Sequence, residues 1–451
     1  MKVFVKKHIN CLSICFLILI SVAYMKLWFS VDENFSLNLV NYNFKDLLYW
    51  DSIDVHPPLY YIFLKVFLSP FHGDFIQKMI LSRVFSLITS LIAFVYIKKI
   101  INYFEIKIKW GFSLALFLII PNVIGIDNMN LSTLMNIRMY SMASMFVAMT
   151  FYYLLRFKTF HRINNLILTY ISAVCASYTH YYSAFMVGIL LISYLIVFFR
   201  SKEYKKSIYI LICGFFVMLS YVPWVLYGMT KQFRDLPYSQ PFYKFALEAL
   251  FAAGLIILFC WPCVKLYREL SDTKKVDLLI IIYTNLIVLG TTSLYSLIKD
   301  PIFLFRYIYP SLIIIELISY SYCFNKISKK DIIINNKVAN KIICFVLVFG
   351  IPAFSIVSFV HEVVRVVPIS AMIYKNDRML SEQKGKDVNI SYVKNYIKPY
   401  DINHSMLNYD VQYSMFIHHE GRKTIVNDKK RADIDNGVPN AVHRKNVFYV
   451  K

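Results

Sequence analysis

The chain is short of charge, and above all of negative charge. Only 17% of its 451 residues are charged, with 27 Asp and Glu against 49 Lys and Arg, whereas soluble domains carry about 25% charged residues. That shortage excludes an ordinary water-soluble domain. Glycine (12) and proline (14) are sparse, and neither a repeat of fixed period nor a low-complexity tract is present. The eight cysteines, Cys11, Cys15, Cys175, Cys213, Cys260, Cys263, Cys323 and Cys344, all fall within or beside apolar runs. They outline no disulfide framework. Cys260-Trp261-Pro262-Cys263 has redox spacing but no βαβ pattern around it, and reads as a pair of small apolar residues.

Hydrophobic residues make up 58% of the chain, and the mean hydropathy is +0.52. Apolar runs near the ~20 residues that cross a bilayer as helix recur, while the ~10-residue alternating segments of a transmembrane barrel do not. The expected fold class is an all-α polytopic membrane protein of about eleven spans, near residues 11 to 30, 76 to 97, 111 to 126, 139 to 155, 164 to 179, 183 to 199, 207 to 227, 246 to 264, 277 to 297, 308 to 324 and 342 to 360. The first run lacks a small-residue cleavage site and reads as a retained helix. Residues 1 to 360 form the membrane domain in this reading, and residues 361 to 451 a small extracytoplasmic tail. His418-His419-Glu420 in that tail has ligand types at poor spacing and reads as a solvated turn.

Lys and Arg are concentrated in alternate short loops, such as Lys98, Lys99, Lys107 and Lys109, then Arg156, Lys158 and Arg162, then Arg200, Lys202, Lys205 and Lys206. The positive-inside rule puts these loops and the N-terminus in the cytoplasm, and the first loop and the tail outside a cytoplasmic membrane. Much of the net charge of +22 therefore serves topology and anionic lipid. No clustered basic face remains for nucleic acid.

Chemistry concentrates in the first outer loop, residues 31 to 75. Ionisable groups at a bilayer surface are costly unless they pair or function. Asp32 and Glu33 stand at the outer mouth of the first helix, where low dielectric can raise a carboxyl toward useful base strength. Adjacent helical residues point about 100° apart, so one of the two reacts while the other orients; the plain alternative is a solvated helix-end acid pair. In Asp54-Val55-His56-Pro57-Pro58-Leu59 the prolines present Asp54 and His56 on a stiff extended stretch. The apolar segment that follows, Leu59 to Leu68, is too short to span and reads as an interfacial helix.

Trp28-Phe29 before Asp32-Glu33, followed by Asp54-Val55-His56-Pro57-Pro58-Leu59, resembles the first-loop signature of the protein O-mannosyltransferases and their bacterial relatives, including the lipid A aminoarabinose transferases. These are GT-C fold glycosyltransferases of the glycosyltransferase family 39 group. Gly73 to Ser86 resembles that family's approach to its second helix, and Asn136-Ile137-Arg138-Met139-Tyr140-Ser141 its Glu-Ala-Arg-Met-Tyr-Ser stretch. Tyr178-Thr179-His180-Tyr181-Tyr182, Pro223-Trp224, and Arg306-Tyr307 with Pro310 also resemble family segments. The resemblance covers about residues 25 to 315. The family's usual Glu is Asn136 here.

The resemblance implies transfer of a sugar from a polyprenyl-phosphate carrier to an acceptor hydroxyl of a glycan, lipid or protein at the outer face, by inverting single displacement. Asp32 would be the base with Glu33 beside it, and Asp54, His56, Arg138, Tyr140, His180, Tyr181, Arg306 and Tyr307 would contact substrate. Guanidinium groups suit a leaving phosphate, although Arg138 and Arg306 taken singly also read as snorkelling anchors, and His180 as a member of an interfacial aromatic cluster. Some relatives hold a divalent metal ion; Asp32 or Glu33 with His56 and His180 are chemically suitable ligands, and spacing does not decide it. A transporter or flippase for lipid-linked sugars is disfavoured by ionisable residues that sit mostly toward helix ends, and a non-catalytic membrane scaffold is the third reading. Phosphatase fusions should be active when placed within residues 31 to 75 and inactive when placed after Lys107; the reverse pattern would overturn the orientation.

Overall fold

The computed structural model describes residues 15, 33, 36–37, 39–52, 56–71, 75–119, 135–230, 241–299, 303–328, 342, 344–350, 357, 364, 388–390 and 424–426. The first predicted span, Asp32, Asp54 and most of the tail lie outside these residues. Two short helices, α1 (Phe44–Asp51) and α2 (Leu59–Leu68), precede α3 (Phe75–Tyr103) and α4 (Trp110–Ile119). After them run α5 (Tyr140–Phe160), α6 (Ile163–Thr179), α7 (Tyr181–Arg200), α8 (Tyr204–Trp224), α9 (Phe242–Glu269), α10 (Asp272–Ile298) and α11 (Tyr309–Ser328). The described strands, β1 (Val388–Ile390) and β2 (Thr424–Val426), pair in parallel with Val388 opposite Thr424.

Five stretches are long and apolar enough to cross a membrane: Gln77–Tyr103, Tyr181–Arg200, Tyr204–Met229, Phe242–Glu269 and Asp272–Ile298. The protein is thus a multi-pass membrane protein of helical architecture. Helix α8 lies at its periphery, exposing Phe215, Met218, Leu219 and Leu226, apolar groups suited to hydrocarbon. Helix α11 is the innermost, with every residue from Tyr309 to Cys323 buried; α5, α9 and α10 pack around it.

Local sequence sets the breaks. Pro57 and Pro58 lead into α2, with Pro58 as its N-cap at φ −81°, a value the pyrrolidine ring supplies. Helix α5 ends at His161, which takes a left-handed φ of 56°. In α8, Pro223 offers no N–H to the helical ladder, and the helix widens into a π turn at Val225–Met229. Gly228 is required in that turn, because a Cβ there would fall 2.5 Å from the Trp224 ring. Cys260 and Cys263 are free thiols inside α9, and Cys263 Sγ lies 3.3 Å from the Ser319 hydroxyl of α11.

One end of the bundle is pinned by Asp277 of α10, whose side chain is fully buried. Lys158 of α5 donates to both its oxygens at 2.8 and 2.9 Å. Tyr103 at the end of α3 donates to Oδ2 at 2.6 Å, and Tyr194 of α7 to Oδ1 at 2.9 Å. Four helices therefore meet on one carboxylate. Removing one partner of a buried pair costs about 3–5 kcal/mol. Asp277→Asn should lower the thermal midpoint of the detergent-solubilised protein accordingly, and Asp277→Asn with Lys158→Met should recover part of the loss; an unchanged midpoint in the single variant would refute the pin.

Candidate functional site

The other end gathers the chemistry. Arg83 of α3 stands twenty residues before Tyr103, roughly 30 Å away along an α-helix, which is about the thickness of the hydrocarbon layer. The Arg83 side chain is wholly buried, and its Nη2 lies 3.4 Å from Glu33 Oε2. Glu33 Oε1 accepts the Ile137 N–H at 3.0 Å. One carboxylate oxygen thus takes Arg83 of α3 and the other the bent segment before α5, where the Arg138 N–H donates to the Asn136 carbonyl at 2.7 Å. Glu33 forms an ion pair with Arg83.

Arg138, fixed by that bend, is buried, and its Nη1 donates to the Tyr61 hydroxyl of α2 at 3.2 Å. His56, just before α2, is buried with its ring stacked on His180 at 5.6 Å between centroids and 26° between planes. His180 is the single extended residue separating α6 from α7, at φ −160° and ψ 136°. Its N–H still donates to the Ala176 carbonyl, and its own carbonyl accepts the Ala184 N–H, so His180 bonds to both helices across the break.

Around the two imidazoles stand Tyr140, 5.7 Å from His180, and Tyr307, 5.3 Å from His180 and 6.4 Å from His56. Tyr182 packs on Tyr307 at 4.8 Å. The short 3-10 turn Phe305–Tyr307 carries Arg306, whose guanidinium carbon lies 5.8 Å from the Tyr140 ring and 5.9 Å from the Tyr307 ring. That turn is anchored by Glu248 of α9, which accepts the Phe305 N–H at 2.9 Å. Trp224 reaches in from α8 and donates its indole N–H to the Tyr181 hydroxyl at 3.1 Å.

Of the residues singled out in the sequence, His56, Arg138, Tyr140, His180, Arg306 and Tyr307 converge here, Glu33 braces the floor, and Tyr181 adjoins through Trp224. Asp32 and Asp54 lie outside the described residues. The sequence reading missed Arg83, Tyr61, Tyr182 and Glu248. Arg83 carried a usable signal, a lone arginine inside an apolar span; Tyr61 and Tyr182 followed directly on motifs already in hand, and Glu248 gave no local sign.

Burial is the largest influence on both histidines, and the positive charges of Arg138 and Arg306 act in the same direction. His56 is driven well below its usual value, and His180 down from 6.5 to about 3. Both rings are therefore neutral around neutral pH, and the formal positive charge in the cluster belongs to the guanidinium groups. Such a surface suits an anion together with a ring or hydroxyl-bearing group that can lie on aromatic faces. A divalent cation fits the described donors poorly. The two imidazoles are flanked by guanidinium groups, Glu33 is engaged by Arg83, and among the described residues no three His, Cys, Asp or Glu side chains are gathered as a metal requires.

No protein-family model matches the chain, and no curated protein matches it by sequence.

A depressed histidine confers its stability above the unfolded value and loses it as pH falls toward the folded value. For His180 that window runs from 6.5 down to about 3. Between about pH 7 and about pH 5 the wild-type protein should lose thermal stability more steeply than His180→Gln, by up to about 1.4 kcal/mol per pH unit. Equal slopes would show that the ring is not held neutral by its surroundings.

Proposed function

We propose that this chain is a GT-C type glycosyltransferase of about eleven spans that takes a sugar from a polyprenyl-phosphate donor and passes it to an acceptor hydroxyl at the outer face of the cytoplasmic membrane. The observation that carries the proposal is the convergence of Arg138 and Arg306 on one aromatic-lined cluster. The first-loop resemblance supplies the reaction class; the cluster supplies groups that suit it.

In this reading the acceptor oxygen forms a bond to the anomeric carbon while the bond from that carbon to the carrier phosphate breaks. The acceptor proton goes to Asp32. Arg138 and Arg306 receive the charge that builds on the leaving phosphate, worth most where water is excluded. Tyr140, Tyr307 and the neutral faces of His56 and His180 would hold the sugar, with Asp54 and Tyr181 at its margins. Glu33 is the orienting member of the acid pair, since its oxygens are taken by Arg83 and Ile137. Asn136 is uncharged, and no step passes through it. A single displacement inverts the anomeric centre, and unlike a retaining glycosidase it forms no covalent glycosyl-enzyme.

Membranes carrying the Asp32→Asn protein should transfer sugar about 10²–10⁴-fold more slowly while holding the same amount of inserted protein. Arg306→Lys should keep the charge, lose the planar fork and raise the donor concentration needed for half-maximal rate. A deletion strain should lack one hexose or pentose from an envelope glycan, lipid or protein. An unaltered envelope in that strain, or full activity in Asp32→Asn, would defeat the proposal.

A further inference from the structure

The sequence places ionisable residues mostly toward helix ends, and Glu316, like Arg83, is an exception. It sits on α11, the innermost helix, seven residues past Tyr309 and so roughly 10 Å deeper into the bundle than the aromatic cluster. It is fully buried, and among the described residues neither of its carboxyl oxygens has a hydrogen-bond partner. Tyr309 and Tyr320 lie on the same helix, and their hydroxyls are likewise buried without partners among the described residues.

The charged groups of the surrounding helices are committed elsewhere. From α3, Arg83 is engaged by Glu33, and Lys98 by Asn102 and the Ile108 carbonyl. From α5, Lys158 holds Asp277 of α10, to which Tyr194 of α7 also donates. From α9, Glu248 holds the Phe305 N–H, and Cys263 lies against Ser319. Helix α4 brings no ionisable side chain. A carboxylate buried without a countercharge is expelled, paired or protonated; among the described residues nothing pairs with Glu316, which points to protonation.

We propose that Glu316, on the helix that also carries the buried hydroxyls of Tyr309 and Tyr320, is a proton-binding site in the interior of the bundle, occupied at neutral pH. The site is separate from the aromatic cluster and does not depend on the transfer reaction assigned to it. The neutral acid carries no charge into the apolar interior, and it offers one O–H donor while keeping acceptor capacity. Loss of that proton would place a bare charge on the helix whose N-terminal end follows the Arg306 turn.

Infrared difference spectroscopy of the full chain in lipid vesicles tests this. At neutral pH the wild-type protein should show the carbonyl stretch of a protonated carboxyl, shifting on deuteration, and Glu316→Gln should lack it. Tyr320→Phe or Tyr309→Phe should move the band without removing it. The band should also be indifferent to added sodium or potassium. If the wild-type protein lacks the band at neutral pH, the carboxyl is ionised and the proposal fails; if sodium or potassium abolishes it, the site holds a metal cation instead. Should Glu316→Gln fail to insert, the same band followed in wild-type protein carrying carbon-13 glutamate, with the Tyr320→Phe shift, decides between these outcomes.

Discussion

A carboxylate withdrawn from water inside a membrane bundle has to meet a countercharge, gather several donors or give up its charge. Nearly everything distinctive in this architecture follows from how three buried acids, Asp277, Glu33 and Glu248, satisfy that demand. Asp277 gathers a lysine and two tyrosines and ties four helices at one end. Glu33 takes Arg83 and a backbone amide at the other. Glu248 takes the amide of the turn that bears Arg306. Three acids are thereby spent on holding backbone and helices in place. The cationic cluster between them keeps its guanidinium charge in a setting where each unit of charge acts strongly.

The cluster belongs to no single element. Arg138 comes from the bend before α5, His56 from the approach to α2, His180 from the break between α6 and α7, and Arg306 from the turn before α11. Each is a point where a helix is interrupted, and interruption is what lets polar backbone and side chains face a common space at membrane depth. The helices supply rigidity, and their ends carry the polar cluster. Proline and aromatic residues mark several of these ends: Pro57 and Pro58 before α2, Tyr140 opening α5, Tyr181 opening α7, and Pro223 where α8 widens.

The helices were largely legible in the sequence because hydrocarbon imposes length and apolarity together. The runs near 76 to 97, 183 to 199, 246 to 264 and 277 to 297 coincide with α3, α7, α9 and α10. The residues of the cluster were legible because they stand in compact local patterns, such as the stretch from Asn136 to Ser141. What stayed hidden were partners distant in the chain. Nothing near Glu33 announces Arg83, fifty residues on, and nothing near Phe305 announces Glu248. Nothing around Asp277 in the chain announces that Tyr103, Lys158 and Tyr194 meet on it. Pairing across helices is a property of packing, and periodicity within one helix does not encode it.

The connection between α6 and α7 is one residue long, and that residue is His180. With no slack on either side, the imidazole is aimed by two helix axes at once, much as a rivet is aimed by the plates it joins. Lengthening the joint by a single residue would rotate everything downstream by about 100°. Tyr181 would then turn away from Trp224, and Tyr182 from Tyr307. The spacing of this corner is therefore far less tolerant of insertion than an ordinary interhelical loop.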